Sequence, residues 1–141
     1  MIHGYTSHTH MSGNTATGPK YELFVESLLA ESGIKFKRQA NVGYKRNGGA
    51  HRVDLLVEKT LLSLKSQQVA GTAEQKIPFE CMILQHAIED YKYDNAIIVL
   101  HGDTGWKWQG YYLSTEFKSN MRQLYPDVSI MNHEQFISIY S

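Results

Sequence analysis

One carboxylate interrupts an otherwise apolar stretch. The run from His51 to Glu58 contains Val53, Leu55, Leu56 and Val57, and Asp54 sits among them. These apolar residues predict a strand. A strand that buries a carboxylate must also supply it with a partner, because an unpaired buried charge is costly. Eight residues separate Asp54 from Ser63-Leu64-Lys65. In a strand, residues two apart share a face, so Ser63 and Lys65 point the same way. If Leu61 to Lys65 forms the next arm of a hairpin, Asp54 lies opposite that pair. The chain therefore has to fold so that these arms meet.

The rest of the sequence supplies the elements around that hairpin. Gly18-Pro19 opens a helical pattern, with Tyr21, Phe24, Val25, Leu28 and Leu29 at helical spacing and Gly33 closing the run. Ile34 to Gln39 alternates and reads as a strand, and Asn47-Gly48-Gly49 reads as a turn. Thr72 suits a helix cap, with the helix running to about Tyr91. Pro78 falls inside it, so either the helix is distorted there or its regular part begins at Ile77. Ala96 to Leu100 is a continuous apolar run of the kind found in central strands. His101 to Gly110 reads as a loop, Phe117 to Tyr125 as a helix, Val128 to Met131 as a strand and Glu134 to Tyr140 as a last helix. This order predicts an α/β fold with a mixed central sheet flanked by helices. Residues 1–18, rich in Ser, Thr, Gly and His, are expected to form a flexible or DNA-contacting arm, and 19–141 a single domain.

Composition narrows the setting more than the function. With 141 residues the chain can bury a core without disulfides, and its one cysteine forbids an internal bridge. No segment is apolar enough to span a bilayer and no signal peptide is visible, so a cytoplasmic location and no membrane partner are expected. Formal net charge is zero. The stretch from Lys35 to Arg52 nevertheless holds several Lys and Arg and no acidic residue. Such a stretch can grip phosphates, although a solvated loop has the same look.

A strand carboxylate beside a strand lysine suits phosphodiester hydrolysis. Carboxylates hold Mg²⁺, which keeps several waters. The metal acidifies one water and polarises the phosphate. The lysine orients that water or offsets charge developing on phosphorus.

Over roughly Pro19 to Leu100 the chain resembles the PD-(D/E)XK nuclease superfamily, which has a restriction-endonuclease-like core. The resemblance rests on Glu22 in the first helix, Asp54 and Lys65, with helix, hairpin, helix and strand in matching order. One position departs from it: Ser63 stands where a second carboxylate is usual. Some restriction enzymes of the superfamily carry Ser-X-Lys and take the missing glutamate from the following helix. The resemblance thus implies Asp54, Glu80 and Glu22 as metal ligands, with Glu74 as the alternative to Glu80. Fourteen residues intervene between Lys65 and Glu80. Gln67, on the face of Lys65, is a further catalytic candidate.

Tyr44, Lys45, Arg46, Asn47, His51, Arg52 and Lys76 are the candidate DNA contacts, because Lys and Arg neutralise phosphates and Asn reads base edges. The implied activity is Mg²⁺-dependent, site-specific cleavage of double-stranded DNA, of restriction or homing type, with Mn²⁺ as a substitute metal. Cutting two strands implies a homodimer or homotetramer. The setting is a bacterial or phage-infected cell. The alternatives are a structure-selective nuclease such as a Holliday junction resolvase, or a DNA-binding module that keeps the fold without catalysis.

Other features read more plainly. His8 and His10 have no third ligand in a fixed element, and the remaining histidines are scattered, so a zinc site is not expected. Trp106 and Trp108 suit packing, and Cys81 falls on the apolar stripe of its helix. No phosphate loop or nucleophile elbow supports a different enzyme class.

Overall fold

The computed structural model describes residues 18–66, 76–102 and 109–140. In chain order the elements are α1 (Gly18–Glu31), β1 (Lys37–Tyr44), β2 (Ala50–Val57), β3 (Thr60–Ser66), α2 (Ile77–Tyr91), β4 (Asn95–His101), α3 (Gln109–Tyr112), α4 (Thr115–Leu124), β5 (Val128–Asn132) and α5 (His133–Tyr140). The strands form one five-stranded sheet in the order β1-β2-β3-β4-β5. β1, β2 and β3 run antiparallel, and β4 and β5 continue parallel to β3. The sheet is mixed and flanked by helices, an α/β restriction-endonuclease-like architecture. The expected loop after β4 contains the short helix α3.

Each face of the sheet has its own core. On one face, Ile77, Cys81, Leu84 and Ile88 of α2 pack with Tyr112 and Phe117 over Ala40, Val53, Leu61, Ile98 and Ile130. On the other, Tyr21, Val25 and Leu29 of α1 and Phe136 and Ile137 of α5 pack over Leu55, Leu62, Leu64, Ile97 and Val99. β4 feeds both cores, which is why its sequence is apolar without alternation.

The boundary of β1 differs from the expectation. β1 lies at Lys37–Tyr44, not Ile34–Gln39. Ile34 and Phe36 do pack inward, against the α1 side, but they precede the paired strand. Alternation reports burial rather than ladder pairing, and the inward residues of β1 are the small Ala40 and Val42. α2 starts at Ile77, with Pro78 in the first turn. Proline is tolerated there because that N–H has no helical partner. The Thr72 cap lies outside the described residues. α5 starts with a capping box: Asn132 Oδ1 accepts from the Gln135 N–H at 2.8 Å, and Gln135 Oε1 accepts from the Asn132 N–H at 2.9 Å.

The sheet is irregular where the hairpin matters. Leu55 and Val57 pack toward α1, but Val53 packs toward α2. Residues two apart in a regular strand share a face, so β2 turns over at Asp54. Across from it, Gln39 has a left-handed φ of +45° and sits between the pairs Arg38–Leu55 and Ala40–Val53. The β2–β3 ladder covers only Leu55–Val57 with Thr60–Leu62, while β3 goes on pairing with β4 as far as Ser66–His101. The sheet forks at Asp54.

β1 is also fixed to the end of α2. Gly43 has a φ of +116°, and a Cβ there would run into the Tyr91 ring. The Tyr91 hydroxyl accepts from the Tyr44 N–H at 3.0 Å. Gly43→Ala combines a strained backbone with a clash, and is expected to cost about 1–3 kcal/mol. Urea denaturation checks this through a lower midpoint with an unchanged slope.

Candidate active site

The fork brings the hairpin residues and α2 together. Asp54 Oδ2 accepts from the Leu64 backbone N–H at 2.7 Å. The carboxylate thereby holds β3 where the regular ladder has ended. Ser63 is buried, and its hydroxyl donates to Glu80 Oε2 at 2.8 Å. Lys65 Nζ lies 3.5 Å from Glu80 Oε1. The glutamate of α2 therefore reaches over β3 to both residues of the Ser-X-Lys pattern. A cleft of about 130 Å³ is lined by Asp54, Ser63, Lys65 and Glu80 together with Lys45, His51, Arg52, Val53 and Ile83.

Burial pushes the Asp54 carboxyl up. The Leu64 N–H and the Lys65 ammonium oppose this, and Glu80 adds to it. Glu22, on α1, accepts from Gln39 Nε2 at 3.1 Å. Its carboxyl is also raised, first by burial and then by the Asp54 charge. Glu22 thus feels Asp54 electrostatically while its hydrogen bond holds the left-handed residue of β1. Gln67 and Glu74 lie outside the described residues.

The expected DNA contacts fall into distinct situations. Lys45 and Arg52 line the cleft. Tyr44 and Asn47 are exposed, and Asn47 Oδ1 accepts from the Gly49 N–H at 3.0 Å inside the turn. Lys76 is exposed immediately before α2. Arg46 is already engaged: its guanidinium bonds Asp90 at 3.0 Å and Glu89 at 3.1 Å on α2. His51, another of the expected DNA contacts, is buried on the cleft wall.

Sequence reasoning missed a ring cluster on the α1 side at the C-terminal end of β4, where His101 pairs with Ser66. His101 stacks on Tyr21 with centroids 3.7 Å apart and planes 10° off parallel. The Tyr21 hydroxyl bonds His133 Nδ1 at 2.8 Å, and His101 Nδ1 bonds the Ser66 hydroxyl at 2.5 Å. Burial pushes the Tyr21 phenol up. The helical spacing of Tyr21 was the one sequence signal that it is core; nothing in the spacing of the histidines announced their meeting.

A sequence profile of the PD-(D/E)XK nuclease superfamily domain matches residues 3–141, nearly the whole chain. The chain belongs to the PD-(D/E)XK nuclease superfamily. No curated protein and no solved structure gives a significant match. The nuclease domain has no helix among its described residues long and apolar enough to cross a membrane.

Nucleases of this superfamily typically use divalent metals. Among the described residues no three His, Cys, Asp or Glu side chains converge into a ready metal cage. A cation such as Mg²⁺ does not need one, since it binds through one or two carboxylates and keeps its waters. Asp54 suits this role. Its Oδ1 takes no hydrogen bond among the described residues, although burial raises the cost of its charge. Asp54 and Glu80 are the carboxylates that face the cleft.

The raised Asp54 carboxyl has a consequence for stability. The folded state holds that proton more tightly than the unfolded chain does. The corresponding stability is present at low pH and is lost as pH rises from the ordinary carboxylate range through the raised value. Asp54→Asn removes this loss and keeps an acceptor for the Leu64 N–H. The variant is expected to unfold at a higher temperature than the wild type at pH 7, with the gap closing toward pH 4. Added Mg²⁺ or Mn²⁺ should raise the melting temperature of the wild type and not that of the variant. Thermal scans at both pH values, with and without metal, check both expectations.

Proposed function

We propose that this nuclease domain is a Mg²⁺-dependent, site-specific endonuclease that hydrolyses phosphodiester bonds of double-stranded DNA, of restriction or homing type. The supporting observation is the placing of Asp54, Lys65 and Glu80 around one cleft at the sheet fork, with Ser63 holding the glutamate that replaces the missing strand carboxylate.

Asp54 and Glu80 hold the metal, and Glu22 supports them from the α1 side. Glu74 is the alternative to Glu80, and Gln67 a further group near the attacking water. When bound, the metal supplies an acidified water and neutralises charge on the phosphate. Mn²⁺ serves in its place. Lys65 orients the water and offsets charge developing on the phosphoryl oxygens. Ser63 contributes no ligand; its hydroxyl fixes Glu80. Lys45, Arg52 and Lys76 neutralise backbone phosphates flanking the cut, and Tyr44 and Asn47 meet the duplex at the exposed hairpin. Arg46 braces that hairpin against α2. Because a duplex has two strands and the described residues of one chain bring Asp54, Lys65 and Glu80 together at one cleft, the working form is a homodimer or homotetramer in the cytoplasm.

Plasmid and phage DNA incubated with the purified protein and Mg²⁺ should give discrete bands, and none with EDTA. Lys65→Ala and Glu80→Gln should each lower the rate at least about 100-fold while DNA binding persists in Ca²⁺. Cleavage confined to branched DNA would replace the site-specific reading with a structure-selective one. Binding without cleavage under Mg²⁺ or Mn²⁺ would leave a non-catalytic DNA-binding module.

A further inference from the structure

His51 is 3% exposed, and among the described residues its ring enters no hydrogen bond or ion pair. Buried polar groups are normally paired, so a bare imidazole calls for an explanation. Its position supplies one. His51 shares the parity of Val53 on β2, which faces α2, and it lines the same cleft as Asp54, Lys65 and Glu80.

The charges around it restrict its chemistry. Glu80 faces it from α2, Lys65 from β3 and Lys45 from the hairpin, with Asp54 and Arg52 on its own strand. Burial keeps the imidazole on the low side of its ordinary range, opposed by Glu80 and helped by the two lysines. A neutral imidazole carries one N–H donor and one acceptor nitrogen. A role as ligand to Mg²⁺ does not suit it, because that ion takes oxygen ligands. A phosphodiester oxygen fits better: it seeks a donor, and the lysines nearby already favour an anion.

We propose that His51 is a catalytic residue of this cleft, its ring N–H donating to a non-bridging oxygen of the scissile phosphodiester. The proposal rests on the nuclease reading and deepens it. His51 adds direction rather than charge to the phosphate site. Its loss therefore slows the chemical step and leaves the salt dependence of DNA binding unchanged, unlike the loss of a phosphate-contacting Arg or Lys.

Two substitutions separate shape from hydrogen bonding. His51→Phe keeps the volume and removes the donor; His51→Gln keeps a donor. In single-turnover cleavage, His51→Phe should be slower by about 10- to 100-fold and His51→Gln should recover most of that loss. Binding in Ca²⁺, followed by fluorescence anisotropy at several salt concentrations, should show the same slope for both variants as for the wild type, and a shallower slope for Arg52→Ala. Wild-type rates in His51→Phe, or equal losses in both variants, would overturn the proposal.

A direct readout does not need cleavage. Long-range ¹H–¹⁵N spectra of the wild-type protein should show the His51 ring nitrogens shifting when a short DNA duplex is added with Ca²⁺. Unchanged His51 signals in a duplex-bound protein would refute the phosphate contact. Shifted signals in a protein that binds but never cuts would sink the nuclease reading and leave the contact standing.

Discussion

The 2.7 Å hydrogen bond from the Leu64 N–H to Asp54 Oδ2 takes over where the β2–β3 ladder stops. A side chain thus satisfies a backbone donor that a straight β2 would have met with a carbonyl. Much of the local geometry follows from that exchange. β2 must turn over at Asp54, and β1 must accommodate the turn, which it does through the left-handed Gln39. Glu22 then bonds that residue, so α1 is tied to the same irregularity that opens the cleft. The half-buried carboxylate keeps a raised charge cost despite the Leu64 N–H and Lys65, a cost that a bound cation would lower.

The legible parts of the fold were those where burial leaves a periodic trace. α1 and α2 show it at helical spacing, and β4 shows it as an unbroken apolar run. β1 was displaced because its inward residues, Ala40 and Val42, are small and followed by Gly43, whereas the bulkier Ile34 and Phe36 sit just outside the strand. Asp54 and Lys65 stood out as charges in apolar surroundings. Glu80 was suggested only through the resemblance to nucleases with a Ser-X-Lys pattern. Its bond to Ser63 joins residues from two layers and leaves no local mark. His51 stands beside Arg52 and reads in sequence as a DNA contact or a basic surface group. Strand parity, once β2 is known to turn over, places it inside.

Charge is spent unevenly. The basic stretch after α1 looks like one electropositive surface in sequence, but Arg38 is paired with Glu26 at 3.0 Å and Arg46 with Asp90 and Glu89. Exposed pairs of this kind add little stability. Their effect is to fix the β1–β2 hairpin against α1 through Glu26 and against α2 through Glu89 and Asp90, and to withdraw those guanidinium groups from solvent ions. What remains directed at the cleft is Lys45, Arg52 and Lys65, the last 3.5 Å from Glu80, beside the carboxylates of Asp54 and Glu80. A chain with no net charge thereby presents a locally positive one.

Because Glu80 comes from α2 and not from β3, the order of folding decides when this cluster comes together. With both carboxylates on the hairpin, two neighbouring strands would suffice to assemble it. Here the second belongs to a helix that reaches Ser63 and Lys65 only after packing across the sheet on Leu61, Ile98 and Ile130. A nascent or partly unfolded chain, with its hairpin formed but its helix undocked, holds half a site. The layering of the fold acts as an interlock: the cluster of Asp54, Ser63, Lys65 and Glu80 is complete only when the core is.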